Sequence, residues 1–324
     1  MPRKLGSPGG ALSAVGTAKN FINIMREISF DDEREQAERM PRLLVLAPDL
    51  VTAQRIGDAV TGTTDSPAVT TWTLDSAGRS TEPYDIVIVY NRTSNAAFIK
   101  LRDNAGADGL KVFDLALIDG ENLRWSDEIR LRICDRLPSK ATALGRWFTP
   151  FRPAATKAVI DDTAKANAQF ALVSNAPAVI PILGSLIAVG ADFFVLTKNQ
   201  VMMVFKIAAI NGRDLTDQWK IIRELTPVVG AGFLWRTLAR EASSFIPFLA
   251  GTLPKVLIAY TGTVAAGRGA DFYYQFGQKP TSEQLKGFYE QALESIRSLP
   301  IPGLGGKETV VARETDDDEI TARA

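Results

Sequence analysis

The sequence predicts a small α/β domain with a parallel sheet, followed by an all-α helical bundle. Two patterns indicate this fold class. Between residues 41 and 140, short apolar runs of strand length alternate with stretches of helical spacing, as in parallel sheets covered by helices. Between residues 141 and 299, strand signals fade and long apolar helical stretches dominate, separated by Pro and Gly.

The strands and helices of this fold can be placed individually. The clearest strand is Asp85–Tyr90, and the continuous apolar run Leu43–Ala47 fits a strand buried on both faces. The other predicted elements of the α/β domain are Leu50–Val60, Val69–Leu74, Ala96–Asn104, Leu110–Leu117 and Ser126–Leu137. Those of the helical domain are Lys157–Asn175, Val179–Ile210, Leu215–Val228, Gly232–Ala242, Phe245–Ala266 and Ser282–Leu299.

The chain of 324 residues divides into five predicted regions. Residues 1–17 and 300–324 are predicted to be disordered tails, the first rich in Gly, Pro, Ala and Ser and the second acidic from Glu314 to Glu319. Residues 18–40 are predicted to form a lead-in helix. The α/β domain then occupies residues 41–140, and the helical domain residues 141–299.

The composition excludes several classes of chemistry. The chain has no histidine and one cysteine, Cys134, which removes histidine-based catalysis and metal sites built from cysteine with histidine. We expect Cys134 to be a buried structural thiol in a reducing cytoplasm. Because 37 basic residues balance 37 acidic ones, no general attraction to nucleic acid is expected. No cofactor and no metal are predicted.

The turn after the first strand lacks the features of a phosphate-binding loop. Such a loop needs glycines whose backbone N–H groups surround the phosphates, a lysine that neutralises them and a hydroxyl that holds Mg²⁺. Here the strand is followed by Pro48 and Asp49, residues 48–55 contain no glycine, and no lysine occurs between Lys19 and Lys100. Pro48 removes a donor, and Asp49 places a negative charge where phosphate would bind. We therefore expect no nucleotide hydrolysis by this domain.

A segment of the helical domain, Leu196-Thr197-Lys198-Asn199-Gln200, carries the most specific part of a family resemblance. Together with Phe151-Arg152-Pro153, Ala166-Asn167-Ala168 and Tyr260-Thr261-Gly262-Thr263, it resembles the bacterial domain of unknown function 697, over roughly residues 141 to 295. The resemblance implies membrane association and a preceding small GTPase domain. Residues 41–140 are similar to such a domain in layout but have no P-loop, which implies a degenerate, pseudo-GTPase head.

Two segments approach membrane-spanning length, Ala178–Leu196 and Phe245–Ala266. A span needs about 20 predominantly apolar residues, and these segments contain Asp192 in one case and Lys255 with two prolines in the other. The basic residues between 197 and 244 disfavour a two-span hairpin, since short translocated loops normally avoid Lys and Arg. A bundle at the cytoplasmic face, or dipping into the bilayer from it, suits the charges better.

A line of polar residues marks the helical stretch Val179–Ile210. Asp192, Asn199 and Lys206 recur at seven-residue intervals, so on one helix they share one side. One interpretation is an interhelical network in which Arg268 or Lys255 pairs with Asp192, because an unpaired buried charge is costly. The other is a ligand, ion or lipid-headgroup site. The candidate residues are Asp192, Asn199, Lys206, Lys198, Gln200 and Arg268.

Three functions are compatible with these observations. The first is an interaction or scaffold protein whose helical domain holds a non-catalytic head at the cytoplasmic side of the membrane, with a protein, membrane lipid or a second copy of the chain as partner. The second is a soluble cytoplasmic helical module that binds a ligand or lipid. The third is an enzyme that uses Asp119 and Glu121 with a metal taken from solution. The missing P-loop beside long apolar helices favours the first.

Overall fold

A computed structural model describes residues 28–76, 84–90, 111–114, 125–173, 188–221, 223–224 and 252–297. For 111–114, 188–194, 252–255 and 296–297, only the backbone is described. Several predicted features lie outside these ranges. They are both tails, the first part of the lead-in helix, Ala96–Asn104, Gly232–Ala242, and the carboxylates of Asp119 and Glu121.

Four parallel strands form one sheet: β1 (Leu43–Ala47), β2 (Val69–Thr73), β3 (Ile86–Val89) and β4 (Lys111–Asp114). Their order is β2-β1-β3-β4, with β1 and β3 at the centre and buried along their whole length. Strands covered on both faces need apolar residues at every position, which the sequences Leu-Leu-Val-Leu-Ala and Ile-Val-Ile-Val supply. The prediction of a small parallel sheet is confirmed.

Two of the described helices belong to this α/β head, α2 (Leu50–Thr61) and α3 (Trp125–Arg136), and α1 (Asp31–Glu38) precedes β1 in the chain. A 3₁₀ turn, Leu74–Ser76, follows β2. Helix α2 packs on β1 and β2, and α3 contacts α2. The carbonyl end of α2 is held by Arg130 of α3, which donates hydrogen bonds to two main-chain oxygens there, Ala59 O at 2.8 Å and Val60 O at 2.9 Å.

In the described part of the helical domain, residues 218–221 and 223–224 are helical, and five further helices have defined bounds. They are α4 (Pro138–Trp147), α5 (Arg152–Val173), α6 (Ala188–Ile210), α7 (Thr252–Phe276) and α8 (Ser282–Arg297), with a 3₁₀ turn at Thr149–Phe151. Helices α5, α6 and α7 pack on one another, α4 packs on α5 and α6, and α8 packs on α7. Most buried side chains of α5 are alanines, which lets the neighbouring backbones approach closely. The all-α domain is thus confirmed.

Several element bounds differ from the predicted ones. Helix α4 was not predicted, because Pro138 was taken as the end of the preceding helix, whereas it occupies the first turn of a new one. Helix α5 begins five residues before the predicted Lys157, and α7 continues ten residues past the predicted Ala266. The domain boundary placed at residue 141 falls inside α4.

One apolar core runs from the sheet into the helical domain. The rings of Phe30, just before α1, and Phe205 of α6 lie 4.7 Å apart between centroids, and both side chains are buried. Helix α1 contacts α4 and α6, and α3 contacts α5. Cys134 of α3 lies within the same core, as predicted for a structural thiol.

Candidate functional site

The carboxyl edge of the sheet is the first place to look for a site. In open α/β sheets, ligands bind beyond the carboxyl ends of the strands, where the strand order reverses. The order β2-β1-β3-β4 places this point between β1 and β3, next to Pro48 and Asp49. Asp49 is the N-cap of α2: its Oδ1 accepts from Thr52 N at 2.8 Å and its Oδ2 from the Thr52 hydroxyl at 2.7 Å.

Both oxygens of the exposed Asp49 carboxylate accept hydrogen bonds in this cap. The hydrogen bond from the Thr52 backbone amide, with that from the Thr52 hydroxyl, lowers the pKa of Asp49. A negative charge at a helix N-terminus is favourable in itself. The carboxylate also occupies the position at which a phosphate group would bind. Such binding requires positively charged side chains and unpaired backbone N–H groups. Asp49 therefore begins helix α2 and places a negative charge at its N-terminus.

A buried polar network joins the three central helices of the bundle. Asn167 of α5 donates from Nδ2 to the Thr263 hydroxyl of α7 at 2.9 Å, and its Oδ1 accepts from Asn199 Nδ2 of α6 at 2.8 Å. Gln200 Nε2 also donates to the Thr263 hydroxyl at 3.4 Å, and that hydroxyl donates to Ala259 O at 2.7 Å. Asn167 and Thr263 are fully buried. The network thus satisfies polar groups that would be costly if left unpaired.

The structure brings two of the six predicted residues, Asn199 and Gln200, into one network, because their partners Asn167 and Thr263 are hydrogen-bonded to each other. Lys198 is exposed and Lys206 is half-buried, both on α6. Arg268 donates a hydrogen bond to Gln291 of α8 on the surface. Asp192 lies on the first part of α6, and its side chain is outside the description, as is that of its other predicted partner, Lys255.

Two members of the network, Asn167 and Thr263, were not among the predicted site residues. Asn167 stands between two alanines, and Thr263 stands two residues after Thr261 in an otherwise apolar stretch of its helix. A polar side chain between small or apolar neighbours is a signal that could have identified them, since buried polar groups need partners. The seven-residue line on one helix could not show which neighbouring helix supplies those partners.

The chemistry of this network is limited to hydrogen bonding. Its members are amides and hydroxyls, none of which titrates in the physiological range. Among the residues described, no group of three or more acidic, cysteine or histidine side chains could hold a metal ion. Directional hydrogen bonds between helices fix the register of the helices against one another. The geometry of the network is therefore suited to holding α5, α6 and α7 in register.

The aromatic group at the end of α7 packs against α8. The rings of Phe272 and Phe288 lie 6.4 Å apart, and Phe272 also contacts Phe276 at 4.6 Å. Phe276 is exposed at the end of the helix. None of the helices in the described part of the chain is both long and apolar enough to cross a membrane. Residues 178–187 and 245–251 of the two candidate spans fall outside that part.

No family model, curated protein or solved structure matches this chain. The resemblance to the domain of unknown function 697 therefore stays a prediction, as does the GTPase-like character of the head.

Proposed function

We propose that the chain is an interaction protein, in which a non-catalytic, pseudo-GTPase head is carried by a helical bundle at the cytoplasmic face of the membrane. The observation that carries this proposal is the Asp49 cap, whose carboxylate occupies the N-terminus of α2 beside the switch point of the sheet. A head of this topology, with a carboxylate at the helix N-terminus where a phosphate would bind, is suited to binding a partner rather than to turning over a nucleotide. The resemblance to the domain of unknown function 697 supplies the membrane part.

An apolar contact beside the cap supports a protein partner. Leu50 and Val51, in the first turn of α2, are 46% and 64% exposed. Two adjacent large apolar side chains in water gain free energy when a partner covers them, at roughly 25 cal/mol for each Å² removed from solvent. Leu50 and Val51 lie at the edge where the ligands of open sheets bind. This edge is therefore the proposed docking face for a partner protein.

Equilibrium binding of GTP and ATP with Mg²⁺ to the purified chain tests the non-catalytic head. We expect no binding by the wild type, and none by Asp49→Gly, because removing the carboxylate supplies neither a lysine nor a glycine-rich loop. Binding and turnover by the wild type, both abolished by Thr52→Ala, would refute the proposal.

Site-specific photocrosslinking in the cell tests the docking face. A photoreactive residue at Val51 should crosslink to a partner protein, whereas the same residue at Gln169, exposed on α5, should not. Equal crosslinking at the two positions would rule out docking at this edge. For the membrane part, recovery of the protein solely in the soluble fraction, before any carbonate wash, would contradict the proposal.

The alternative, a soluble helical module that binds a ligand or lipid through the polar line, has less support. The amides of Asn199 and Gln200 already donate to Asn167 and Thr263. A ligand at this place would have to replace those hydrogen bonds without a net gain.

A further inference from the structure

Three arginines converge on the turn that ends α6. Arg146 lies in the last turn of α4, Arg152 is the first residue of α5, and Arg213 belongs to the turn itself. We call these three residues the arginine turn. They come from separate parts of the sequence and meet because α4, α5 and α6 pack on one another.

The turn has a defined backbone geometry that places Arg213. Gly212 N donates to Ala209 O at 2.9 Å and Arg213 N to Ala208 O at 3.1 Å, the two hydrogen bonds of a Schellman motif. Gly212 has a φ of 74°, a left-handed conformation that glycine adopts at little cost. Arg213 is therefore held at a fixed position immediately beyond the helix.

The three guanidinium groups are held by different contacts. Arg146 Nη1 donates to Arg213 O at 2.9 Å and to Ala209 O at 3.3 Å, so it caps the carbonyl end of α6. The Arg213 guanidinium carbon lies 5.2 Å from the centre of the Tyr274 ring. The Arg152 guanidinium group lies beside Gly212, because a Cβ added at Gly212 would be 3.5 Å from Arg152 Nη2.

Two carboxylates, Asp214 and Glu224, interact electrostatically with Arg146 and Tyr274 at this turn, but neither forms a salt bridge within the described residues. No carboxylate in the described ranges forms a salt bridge with any of the three arginines. Asp214 is nearby, but its carboxylate accepts from Thr216 N at 3.0 Å and from the Thr216 hydroxyl at 2.8 Å. The helix cap accounts for Arg146 and leaves the charges of Arg152 and Arg213 unexplained.

Two buried polar atoms flank the same turn without a hydrogen-bond partner. They are Arg152 Nε and the Tyr274 hydroxyl, and no other buried side-chain nitrogen or oxygen in the described residues lacks a partner. Such groups are rare, because each costs free energy unless water or an ion completes it. Burial, with a smaller contribution from the charge of Glu224, raises the pKa of Tyr274, so its hydroxyl keeps its proton as a donor.

We propose that the arginine turn binds a phosphate group. The guanidinium group presents planar N–H donors that match a phosphate in pairs, and one stacked on an aromatic ring keeps those donors free in its plane. The phosphate could belong to a lipid headgroup or to a soluble phosphate compound. The phosphate site does not depend on the proposed function of the head. A lipid source of the phosphate, however, rests on the proposed membrane association of the helical bundle.

Binding of two probes tests the site and distinguishes the two sources. Inorganic phosphate is titrated into the full chain by calorimetry, and vesicles of phosphatidylcholine, with or without phosphatidic acid, are used in flotation. Arg152→Gln and Arg213→Gln should each weaken binding about tenfold or more, as expected for one lost charge-assisted hydrogen bond. Lys165→Gln, an equal charge change at an exposed position of α5, should have no such effect.

Each outcome has a defined meaning. Arginine-dependent binding of inorganic phosphate supports a soluble source, and arginine-dependent flotation only with phosphatidic acid supports a lipid. No binding of either probe by the wild type, or equal losses in all three variants, would overturn the site. If Arg152→Gln fails to fold by circular dichroism, Arg213→Gln decides, because Arg213 is exposed. Nucleotide binding by the head would contradict the proposed function but leave this result unaffected.

Discussion

Asn167 of α5 donates a 2.9 Å hydrogen bond to the hydroxyl of Thr263 of α7, a residue 96 positions further along the chain. Both side chains are fully buried, and Asn199 of α6 completes the arrangement by donating to Asn167 Oδ1. These hydrogen bonds connect α5, α6 and α7 at one level of the bundle. A shift of any one helix along its axis would leave buried amides unpaired. The network therefore favours a single register of the three helices.

The Asn167 side chain should therefore contribute strongly to stability. Asn167→Ala removes a buried donor and acceptor and leaves the Asn199 amide without its partner, so we expect a loss of about 2–4 kcal/mol in the free energy of unfolding. Gln169→Ala, on the exposed side of the same helix, should change it by less than about 0.5 kcal/mol. Urea denaturation followed by circular dichroism measures both. Equal stability of the two variants would mean that the network contributes nothing.

Two glycines inside α7 should respond to the same substitution with opposite sign. A Cβ at Gly267 would lie 2.6 Å from Ile160 Cγ1 and 3.1 Å from Met203 Sδ, whereas one at Gly262 would meet nothing within 4 Å. Gly267→Ala should destabilise by about 1–3 kcal/mol through overpacking. Gly262→Ala should stabilise by up to about 1 kcal/mol through helix propensity. Thermal denaturation compares them, and a gain in both variants would contradict the close approach of α5 and α7.

Arg130 should not tolerate lysine, although its charge is kept. Its side chain is 9% exposed and donates to Ala59 O, Val60 O and Asp127 Oδ1 through two different nitrogens. Because an ammonium cannot reproduce this fork, Arg130→Lys should cost about 2–3 kcal/mol. Arg132→Lys, at an exposed ion pair on the same helix, should cost less than about 0.5 kcal/mol. If both changes are neutral in urea denaturation, the cap of α2 does not depend on the guanidinium geometry.

The sequence predicted the sheet better than the helix ends. Strand β1 has the predicted bounds because a strand buried on both faces is a continuous apolar run with no competing pattern. The end of α7 was placed too early, at Ala266, just before Gly267 and Gly269, which lower helix propensity. Tertiary packing overrides that propensity, since Gly267 is where α7 approaches Ile160.

The candidate site was predicted only in part, because tertiary packing also decides which residues meet there. Periodicity along α6 identified Asn199, and Gln200 was named beside it, but their partners Asn167 and Thr263 lie on helices distant in sequence. Pairing between helices depends on packing angles that one helix does not encode. The arginine turn could not be predicted from the sequence, because Arg146, Arg152 and Arg213 come together through the packing of α4, α5 and α6 and the turn at Gly212.

Cys134 should be unreactive in the folded chain. Burial, with a smaller effect from the charge of Asp135, raises the pKa of Cys134 to about 12. At about pH 8 the thiolate fraction is then about one in ten thousand, and the thiolate is the reactive form. Ellman's reagent should label the native protein very slowly and the denatured protein completely. Rapid labelling without denaturant would contradict a buried thiol at this position.

Asp85 should make stability sensitive to acid. Its Oδ1 forms a 2.7 Å ion pair with Lys140 of α4 and its Oδ2 accepts from Arg42 N at 3.0 Å, so it ties the sheet to the helical domain. Burial by itself would raise the pKa of Asp85. The hydrogen bonds from Lys140 and the Arg42 amide and the charge of Lys140 outweigh that effect, so the pKa is lowered.

A carboxyl group with a lowered folded-state pKa stabilises the fold above its unfolded pKa of about 3.9 and loses that contribution as the pH falls through the folded value. At neutral pH, Asp85→Asn should therefore cost about 1–3 kcal/mol, because Lys140 loses its partner. Once the pH is below the folded-state pKa of Asp85, the variant and the wild type should converge, since both then carry a neutral side chain. Asp162→Asn, an exposed change on α5, should cost no more than about 0.5 kcal/mol at neutral pH. Urea denaturation across this pH range measures the difference, and a gap that stays constant down to acid pH would show that the Asp85 charge does not stabilise the junction.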